Sequence, residues 1–275
     1  PEIPVHPSTR LLGPTIAGTL FRPLAPLILA HHAMPMHRLR KAYGMKSLGL
    51  DLRAVFSEGD VSVFPDIPEL VPVTSSGSPG RYQYIGPVVW SAPADLPREL
   101  ANRSERRPLV YLALGSSGNR GALALIIEAL QGLDVDSVIA VGEGNTLRIT
   151  AKNMLVARYL PGDQVAGMAS VVICNGGSPT SHQALGKGCP VLGIPSNLDQ
   201  LLNMQCVERV GAGLSIRADA LSVKGLQSAL VALLEDASYS EAAKRIATLF
   251  AAYDPVSLIG DALAMLSAQH ATLGA

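Results

Sequence analysis

The stretch VVICNGGSPTSHQAL, residues 171–185, combines residue types that can bind an anion. An apolar β-branched run ends at Cys174, and Asn-Gly-Gly (175–177) follows it before the first turn of a predicted helix. Ser178 is a typical N-cap residue, and Pro179 suits the first helical position, where its missing N–H has no partner to lose. The free amides of such a turn and the positive end of the helix dipole attract anions. We therefore expect a phosphate or diphosphate here; the alternative is that the glycines serve only the turn geometry.

A second glycine-rich loop, LALGSSGNRG, follows the predicted strand 109–114. Because ligands of open α/β sheets bind outside the carboxyl ends of the strands, two such loops at adjacent strand ends strengthen the prediction of a phosphate site. The spacing Gly115-x-x-Gly118-x-x-Gly121 also matches a dinucleotide fingerprint, so an NAD(P)-dependent oxidoreductase is an alternative. Glu143 is only a rough fit to the ribose-binding acid of such enzymes, and the sequence has no Tyr-x-x-x-Lys pair for hydride chemistry.

A third cluster, GIPSNLDQLLN, follows the predicted strand 190–195. Its Asp199 and Gln200 pair an acid with an amide, which together can accept and donate hydrogen bonds to neighbouring sugar hydroxyls. The alternative is that Asn197 or Asp199 only caps the following helix.

The elements that would position these loops are regular after Pro108. Apolar strands alternate with helices of about ten residues, which predicts an α/β fold whose parallel sheet carries helices on both faces. The predicted strands are 109–114, 137–142, 153–160, 170–174 and 190–195, and the predicted helices are 119–133, 162–169, 178–188 and 197–210, with two or three more from residue 223.

The first ninety residues are proline-rich and less periodic. The apolar stretch from Leu11 to Ala30 is interrupted by prolines and predicts a buried helix pair, with contact to a membrane surface as the alternative. A basic helix is expected over 37–56, and short strands over 61–73 and 82–89. The polar, proline-bounded segment 91–108 is typical of a linker.

Composition narrows the function class. Lys plus Arg and Asp plus Glu both number 22, so the formal net charge is zero and a nucleic-acid partner is not expected. The three cysteines lack metal-ligand spacing and cannot all pair, which favours reduced thiols in a cytoplasmic protein. The chain opens at Pro1 in a polar, proline-containing stretch, and the interpretation made from this is a fragment or a processed product.

The run from Asn175 to Gly213, NGGSPTSHQALGKGCPVLGIPSNLDQLLNMQCVERVGAG, resembles the donor-binding motif of GT-B fold glycosyltransferases that use nucleotide-diphosphate sugars. It is similar to the bacterial UDP-glycosyltransferase branch, of the flavonoid or macrolide type. The likeness extends over roughly 110–254. The resemblance implies that a hexose is transferred with inversion from a UDP- or TDP-sugar to a hydroxyl of a small-molecule or lipid acceptor, without a cofactor or a metal.

The resemblance also implies roles for individual residues. Two serines would face the diphosphate, the Asn-Gly-Gly loop and the start of its helix would complete the phosphate cradle, one glutamine would hold the ribose, an acid and an amide would grip the sugar, and one leucine would offer a main-chain contact to the base. In chain order these residues are Ser116, Ser117, Leu160, Asn175, Gly176, Gly177, Ser178, Thr180, Gln183, Asp199 and Gln200. Asn175 stands where many members have His, and Gln183 where they have Glu.

The implied domain organisation is a remnant of an acceptor domain in 1–90, a linker in 91–108, a donor domain in 109–254 and a C-terminal helix in 255–275. The inverting reaction needs a general base, typically a His early in the acceptor domain. None of the six histidines matches that position, so no catalytic residue is assigned. The base could come from a missing segment, from a separate acceptor-domain chain or from a homo-oligomer; a non-catalytic nucleotide-sugar-binding subunit is the alternative function. Cytoplasmic localisation is expected, with peripheral membrane association open.

Overall fold

The computed structural model of the protein describes residues 7–50, 52–72, 82–104, 106–115, 121–142 and 151–273. The chain divides into two compact units: a larger unit of residues 65–73 and 85–255, and a smaller unit of residues 1–64, 74–84 and 256–275. In chain order the elements are α1 (Pro7–Phe21), α2 (Ala25–Ala42), α3 (Leu52–Ser57), β1 (Ser62–Phe64), β2 (Tyr82–Tyr84), α4 (Arg98–Ala101), β3 (Leu109–Ala113), α5 (Ala122–Gln131), β4 (Asp136–Ala140), β5 (Met154–Ala157), α6 (Gly162–Met168), β6 (Val171–Cys174), α7 (Ser178–Gly186), β7 (Val191–Gly193), α8 (Leu198–Arg209), β8 (Gly213–Ser215), α9 (Val223–Glu235), α10 (Ala237–Phe250) and α11 (Pro255–Leu273).

The larger unit is built on a six-stranded parallel sheet with the order β5-β4-β3-β6-β7-β8. From β3 the chain winds outwards to β5, returns to the centre with β6, and winds in the other direction to β8. The strand order therefore reverses between β3 and β6, where Ala113 lies opposite Cys174. Such a reversal is where open α/β sheets bind their ligands.

Alternation along the strands divides the apolar side chains between two cores. On one face, Leu109 and Tyr111 of β3 pack with residues of α6, α7, α8 and α10. On the other face, Val110 and Leu112 pack with residues of α5 and α9. Successive side chains of a strand point to opposite faces, so near-continuous apolar strands require helices on both sides. The predicted α/β fold with a doubly covered parallel sheet is confirmed.

Differences from the predicted elements are local. Strand β8 was not predicted, because it is three residues long and begins at a glycine. The strand expected over 153–160 ends at Ala157. Of the segment expected to form strands over 61–73, residues 61–72 are described; among these β1 is the strand that forms, and the proline-punctuated residues 65–72 form turns and bends.

The smaller unit contains α1, α2, α3, the parallel pair of β1 and β2, and nearly all of α11. The predicted helix pair is present, with a short 3₁₀ turn between α1 and α2. The expectation that this pair is buried is wrong: Leu11 is 88% exposed and Leu27 is 69% exposed. Ala17 and Ala33 are the buried side chains among those described in the two helices. A few helices and a two-stranded ribbon do not provide the second layer that an apolar helix face needs.

The C-terminal helix α11 is also largely exposed. Val256 is 81% exposed and Leu263 is 59% exposed, whereas Ala262 is 5% exposed. Among the described helices, none is by itself both long and apolar enough to cross a membrane, and α10 with the first part of α11 meets the criteria only as a bent pair.

Residues 65–72 pack into the larger unit, although the sequence-based boundary was at residue 90. Ile67 and Leu70 are fully buried in the first of the two cores. The Arg209 guanidinium donates to the carbonyls of Glu69 (3.0 Å) and Leu70 (2.6 Å). These contacts make the segment part of the scaffold on which the sheet's helices rest.

Candidate functional site

The loops that follow β3 and β6 approach each other at the strand reversal. Gly115 has a positive φ of 65°, and a Cβ built on it would lie 3.5 Å from Nδ2 of Asn175. The two glycine-rich loops predicted at adjacent strand ends are therefore neighbours. Ser116 and Ser117 lie outside the described residues, so their predicted contact with a diphosphate stays a prediction.

Two hydrogen bonds shape the loop after β6. Sγ of Cys174 accepts a hydrogen bond from the Gly176 amide (3.2 Å), and Oδ1 of Asn175 accepts one from the Gly177 amide (3.0 Å). Gly177 is the N-cap position, with φ −75° and ψ 150°. The prediction that Ser178 caps the helix is thus displaced by one residue, because the side chain of Asn175 holds the turn: Ser178 is the first helical residue and Pro179 the second.

Gly176 is required by packing rather than by ligand approach alone. Its φ is +84°, a region that favours glycine. A Cβ on Gly176 would lie 2.8 Å from Cγ of Met204 and 3.3 Å from the carbonyl oxygen of Gln200, so helix α8 fills the space that a side chain would need. The structural alternative for this glycine is therefore sufficient to explain it.

The start of α7 presents amides suited to an anion. In the described part of the chain, the amides of Ser178 and Thr180 have no protein acceptor, whereas the Ser181 amide donates to the Gly177 carbonyl (3.2 Å). Gly177, Ser178 and Thr180 are half-buried. Helix N-termini with exposed amides carry about half a positive charge, which suits a phosphate group.

Gln183 lies on α7 and connects it to neighbouring segments. Its Nε2 donates to the Trp90 carbonyl (2.9 Å) and lies 3.0 Å from Oγ of Ser91. Its Oε1 lies 2.4 Å from where a Cβ of Gly162 would be, so a glycine at the start of α6 makes room for this side chain. The Leu160 side chain is 3% exposed and belongs to the core, which leaves only its main chain for the predicted contact.

The sugar-binding candidates at the start of α8 differ in exposure. Asn197 is the N-cap, and its Oδ1 accepts a hydrogen bond from the Gln200 amide (3.0 Å), as the capping alternative predicted. Gln200 is 2% exposed, and its Oε1 accepts hydrogen bonds from the Ser196 amide (2.9 Å) and hydroxyl (3.1 Å). Asp199 is exposed. Asp199 thus lies at the surface near the start of α8, whereas the Gln200 side chain points inwards and holds the preceding loop through Ser196.

Asn203 is a residue of this site that the sequence analysis did not select. Its Nδ2 donates to the Gly176 carbonyl (2.8 Å) and to Oγ of Ser181 (2.9 Å). Asn203 follows Gln200 by three residues, so the two amide side chains are neighbours on one face of α8. That spacing is the sequence signal that could have identified it.

His182 is a packing residue. It is 4% exposed, its ring meets that of Phe250 edge-on at 5.4 Å, and its Nε2 lies 3.3 Å from a carboxylate oxygen of Asp66 in an orientation outside hydrogen-bond geometry. Within the described residues, no group of three or more histidine, cysteine or acidic side chains could hold a metal ion.

The thiols and the phenol near the strand ends are poor nucleophiles. Burial raises the pKa of Cys174 and of Cys189 to about 12. Burial, with a smaller effect of Tyr159, raises the pKa of Tyr111 to about 12. These groups stay protonated at neutral pH, so none of the three is a ready nucleophile.

Comparison with known proteins gives the family. The profile of "Erythromycin biosynthesis protein CIII-like, C-terminal domain" matches residues 124–265. A "PGL/p-HBAD biosynthesis glycosyltransferase" of Mycobacterium tuberculosis (strain ATCC 25177 / H37Ra) is 41% identical over 248 residues, which are 90% of this chain and 58% of that protein. The chain therefore spans a little more than half the length of this relative.

Solved structures agree on the fold. The calicheamicin glycosyltransferase CalG4 aligns with a TM-score of 0.69 at 17% identity, covering 92% of this chain and 64% of that one. The spinosyn rhamnosyltransferase SpnG, complexed with thymidine diphosphate, aligns with a TM-score of 0.64 at 22% identity, covering 72% and 55%. The chain belongs to the family of erythromycin biosynthesis protein CIII-like C-terminal domains and shares the fold of the GT-B glycosyltransferases.

Proposed function

We propose that this protein is a glycosyltransferase, or the donor-binding half of one, that transfers a hexose with inversion from a UDP- or TDP-sugar to an acceptor hydroxyl. The observation that carries the proposal is the pair of amides at Ser178 and Thr180, at the strand reversal of a chain that belongs to this family. Family membership favours a nucleotide-sugar donor over the NAD(P) alternative.

The chemistry follows from where charge develops. When the bond between the sugar and the diphosphate breaks, negative charge accumulates on the leaving phosphate oxygens. Fixed amides and a helix dipole stabilise that charge without reorganising. Asn175 would add a hydrogen bond that does not depend on pH, because an amide side chain does not titrate. Ser116 and Ser117 are proposed to face the same phosphates from the neighbouring loop.

The remaining donor contacts are proposed by position. The exposed carboxylate of Asp199 would accept hydrogen bonds from sugar hydroxyls, and Gln200 would fix the loop through Ser196. Gln183 would serve the ribose, and the main chain of Leu160 the base. No cofactor or metal is assigned a role.

The acceptor and the general base are proposed to come from chain outside the larger unit, either from the same protein or from a partner. A small molecule or a lipid is the proposed acceptor class. A non-catalytic binding subunit that needs a separate acceptor-domain chain, or a second copy, is the second candidate, which the exposed leucines of α1 and α2 favour. Cytoplasmic localisation is proposed because Cys174, Cys189 and Cys206 are all free thiols.

Calorimetric titration with UDP and with TDP, combined with a turnover assay on a phenolic acceptor, tests both candidates. Binding with turnover supports a complete enzyme, and binding without turnover supports the subunit. Failure to bind either nucleotide would contradict both. Asp163→Asn is a control. The contact of Asp163 with Ser91 is made by its main-chain amide (3.3 Å to Oγ), and its side chain is assigned no contact with the nucleotide sugar, so nucleotide binding should not change.

A further inference from the structure

We propose that Asn203 is a positioning residue that locks a single peptide group in the diphosphate loop. This inference rests on the proposed function, and it assigns the control of the loop's shape to a side chain on α8. The diphosphate loop is defined here as residues 175–178.

The key geometry concerns the peptide between Gly176 and Gly177. Its carbonyl accepts a hydrogen bond from Nδ2 of Asn203 (2.8 Å), and its N–H donates to Oδ1 of Asn175 (3.0 Å). The C=O and N–H of a trans peptide point in opposite directions, so the two side chains hold the same planar unit from opposite sides.

This peptide is the one in the loop most able to flip. A flip changes ψ of the preceding residue and φ of the following one, and here both residues are glycines. Glycine populates positive and negative φ about equally, so the backbone itself offers little resistance. The hydrogen bond from Asn203 supplies the resistance that side-chain sterics provide elsewhere.

A second branch of the network extends to the start of α7. Asn203 also donates to Oγ of Ser181 (2.9 Å), and that hydroxyl lies 3.1 Å from the Gly177 carbonyl and 3.2 Å from the Ser178 carbonyl. Through the Ser181 hydroxyl, Asn203 is thereby connected to the peptide that carries the Ser178 amide and to the peptide that follows it.

The effect reaches the ligand through Asn175. A flip of the 176–177 peptide would remove the N–H that orients the Asn175 side chain, whose Nδ2 faces Gly115 of the neighbouring loop. Loss of Asn203 should therefore weaken contacts to the diphosphate and leave contacts to the nucleoside unchanged.

The test compares wild type with Asn203→Ala and with Asn203→Leu, which keeps the branched side-chain shape but removes the donor without adding a charge. Calorimetry with UDP and TDP measures diphosphate affinity, and saturation-transfer NMR with uridine and thymidine measures nucleoside contact. We expect both variants to lose about three- to tenfold in nucleoside-diphosphate affinity, in keeping with one lost hydrogen bond to a backbone carbonyl, with unchanged nucleoside binding.

Asn153→Ala is the matched control. Nδ2 of Asn153 also donates to a carbonyl, that of Val135 (2.8 Å), at the opposite edge of the sheet. Asn153→Ala should lower the melting temperature of the protein by about as much as the Asn203 variants do, and it should leave diphosphate affinity unchanged. Wild-type affinity in both Asn203 variants would overturn the inference, and so would a parallel loss of nucleoside and diphosphate binding. No binding by wild type would instead refute the proposed function.

Discussion

The two units of this chain use apolar side chains in opposite ways. In the larger unit, leucines such as Leu112 and Leu230 are fully enclosed between the sheet and its helices. In the smaller unit, Leu11, Leu20 and Leu27 are more than half exposed. Apolar side chains thus form a closed core only where a second layer of structure faces the apolar surface. The larger unit thus holds the loops of the candidate site on closed cores, whereas the apolar helices of the smaller unit lack such a layer among the described residues.

The largest expected effect contrasts one leucine from each unit. Leu230→Ala in α9 should lower the free energy of unfolding by about 2–5 kcal/mol, because it leaves a cavity in a closed core. Leu27→Ala in α2, where the side chain is 69% exposed, should change it by less than about 0.5 kcal/mol. Urea unfolding followed by circular dichroism measures both, and similar losses would break the contrast.

Two glycines with positive φ give the second contrast. Gly44 in the smaller unit has φ +66° and open space around it, so Gly44→Ala should cost only the left-handed strain of about 1–2 kcal/mol. Gly176→Ala should cost a further 1–3 kcal/mol, roughly, because its Cβ would meet Met204.

A double-mutant cycle separates the two causes. Combining Gly176→Ala with Met204→Ala should cost less than the sum of the single changes, since the clash is removed. Strict additivity, measured by thermal unfolding, would mean that Met204 does not determine the need for glycine.

The fold was predictable because its signals are local. The apolar run Val171–Cys174 and the glycines after it identify a buried parallel strand and its loop without knowledge of the partners. Strand β8 escaped prediction because three residues after a glycine have no period of their own. What decides its conformation is the edge of β7.

The positions of the candidate loops were predictable, but the contacts of their side chains were not. The sequence identifies polar residues in and after these loops. It does not identify their partners, because these depend on how the helices cross the loops: Gln200 binds Ser196, Gln183 binds the Trp90 carbonyl and Asn203 binds the Gly176 carbonyl. Sequence spacing reports which side chains share a helix face and is silent on which carbonyl that face meets.

Two arginines provide the third contrast. Arg209 of the larger unit donates to the carbonyls of Glu69 and Leu70, and Arg40 of the smaller unit binds Glu58 and the Lys46 carbonyl. Arg209→Ala should cost about 1.5 kcal/mol and speed hydrogen exchange at Leu70 and its neighbour Val71, whose amides bond to Ile67.

Arg40→Ala is the control for this exchange experiment. It should leave the exchange of residues 67–71 unchanged, because its partners lie in the smaller unit. Equal acceleration in the two variants would show that the segment 65–72 does not belong to the larger unit.

The last contrast concerns the buried thiols, which lie in the larger unit. Their ionisation has the smallest expected effect on the free energy of unfolding at neutral pH. The pKa of Cys189 is about 12 in the folded protein against an ordinary 9.0, so between these values the unfolded state releases a proton that the folded state keeps. Stability is therefore full below pH 9 and falls as pH rises towards 12, by about 1 kcal/mol per pH unit for this thiol.

Cys189→Ala should be less stable than wild type at pH 8, because it loses packing and the hydrogen bond to the Ala169 carbonyl, but its stability should fall less steeply above pH 9. Urea unfolding at pH 8 and pH 10 measures the two slopes. The smaller unit has no cysteine, so amide exchange in α2 should not respond to the substitution. An equal slope in the variant would show that the Cys189 thiol ionises in the folded state as readily as in the unfolded one, which its 3% exposure argues against.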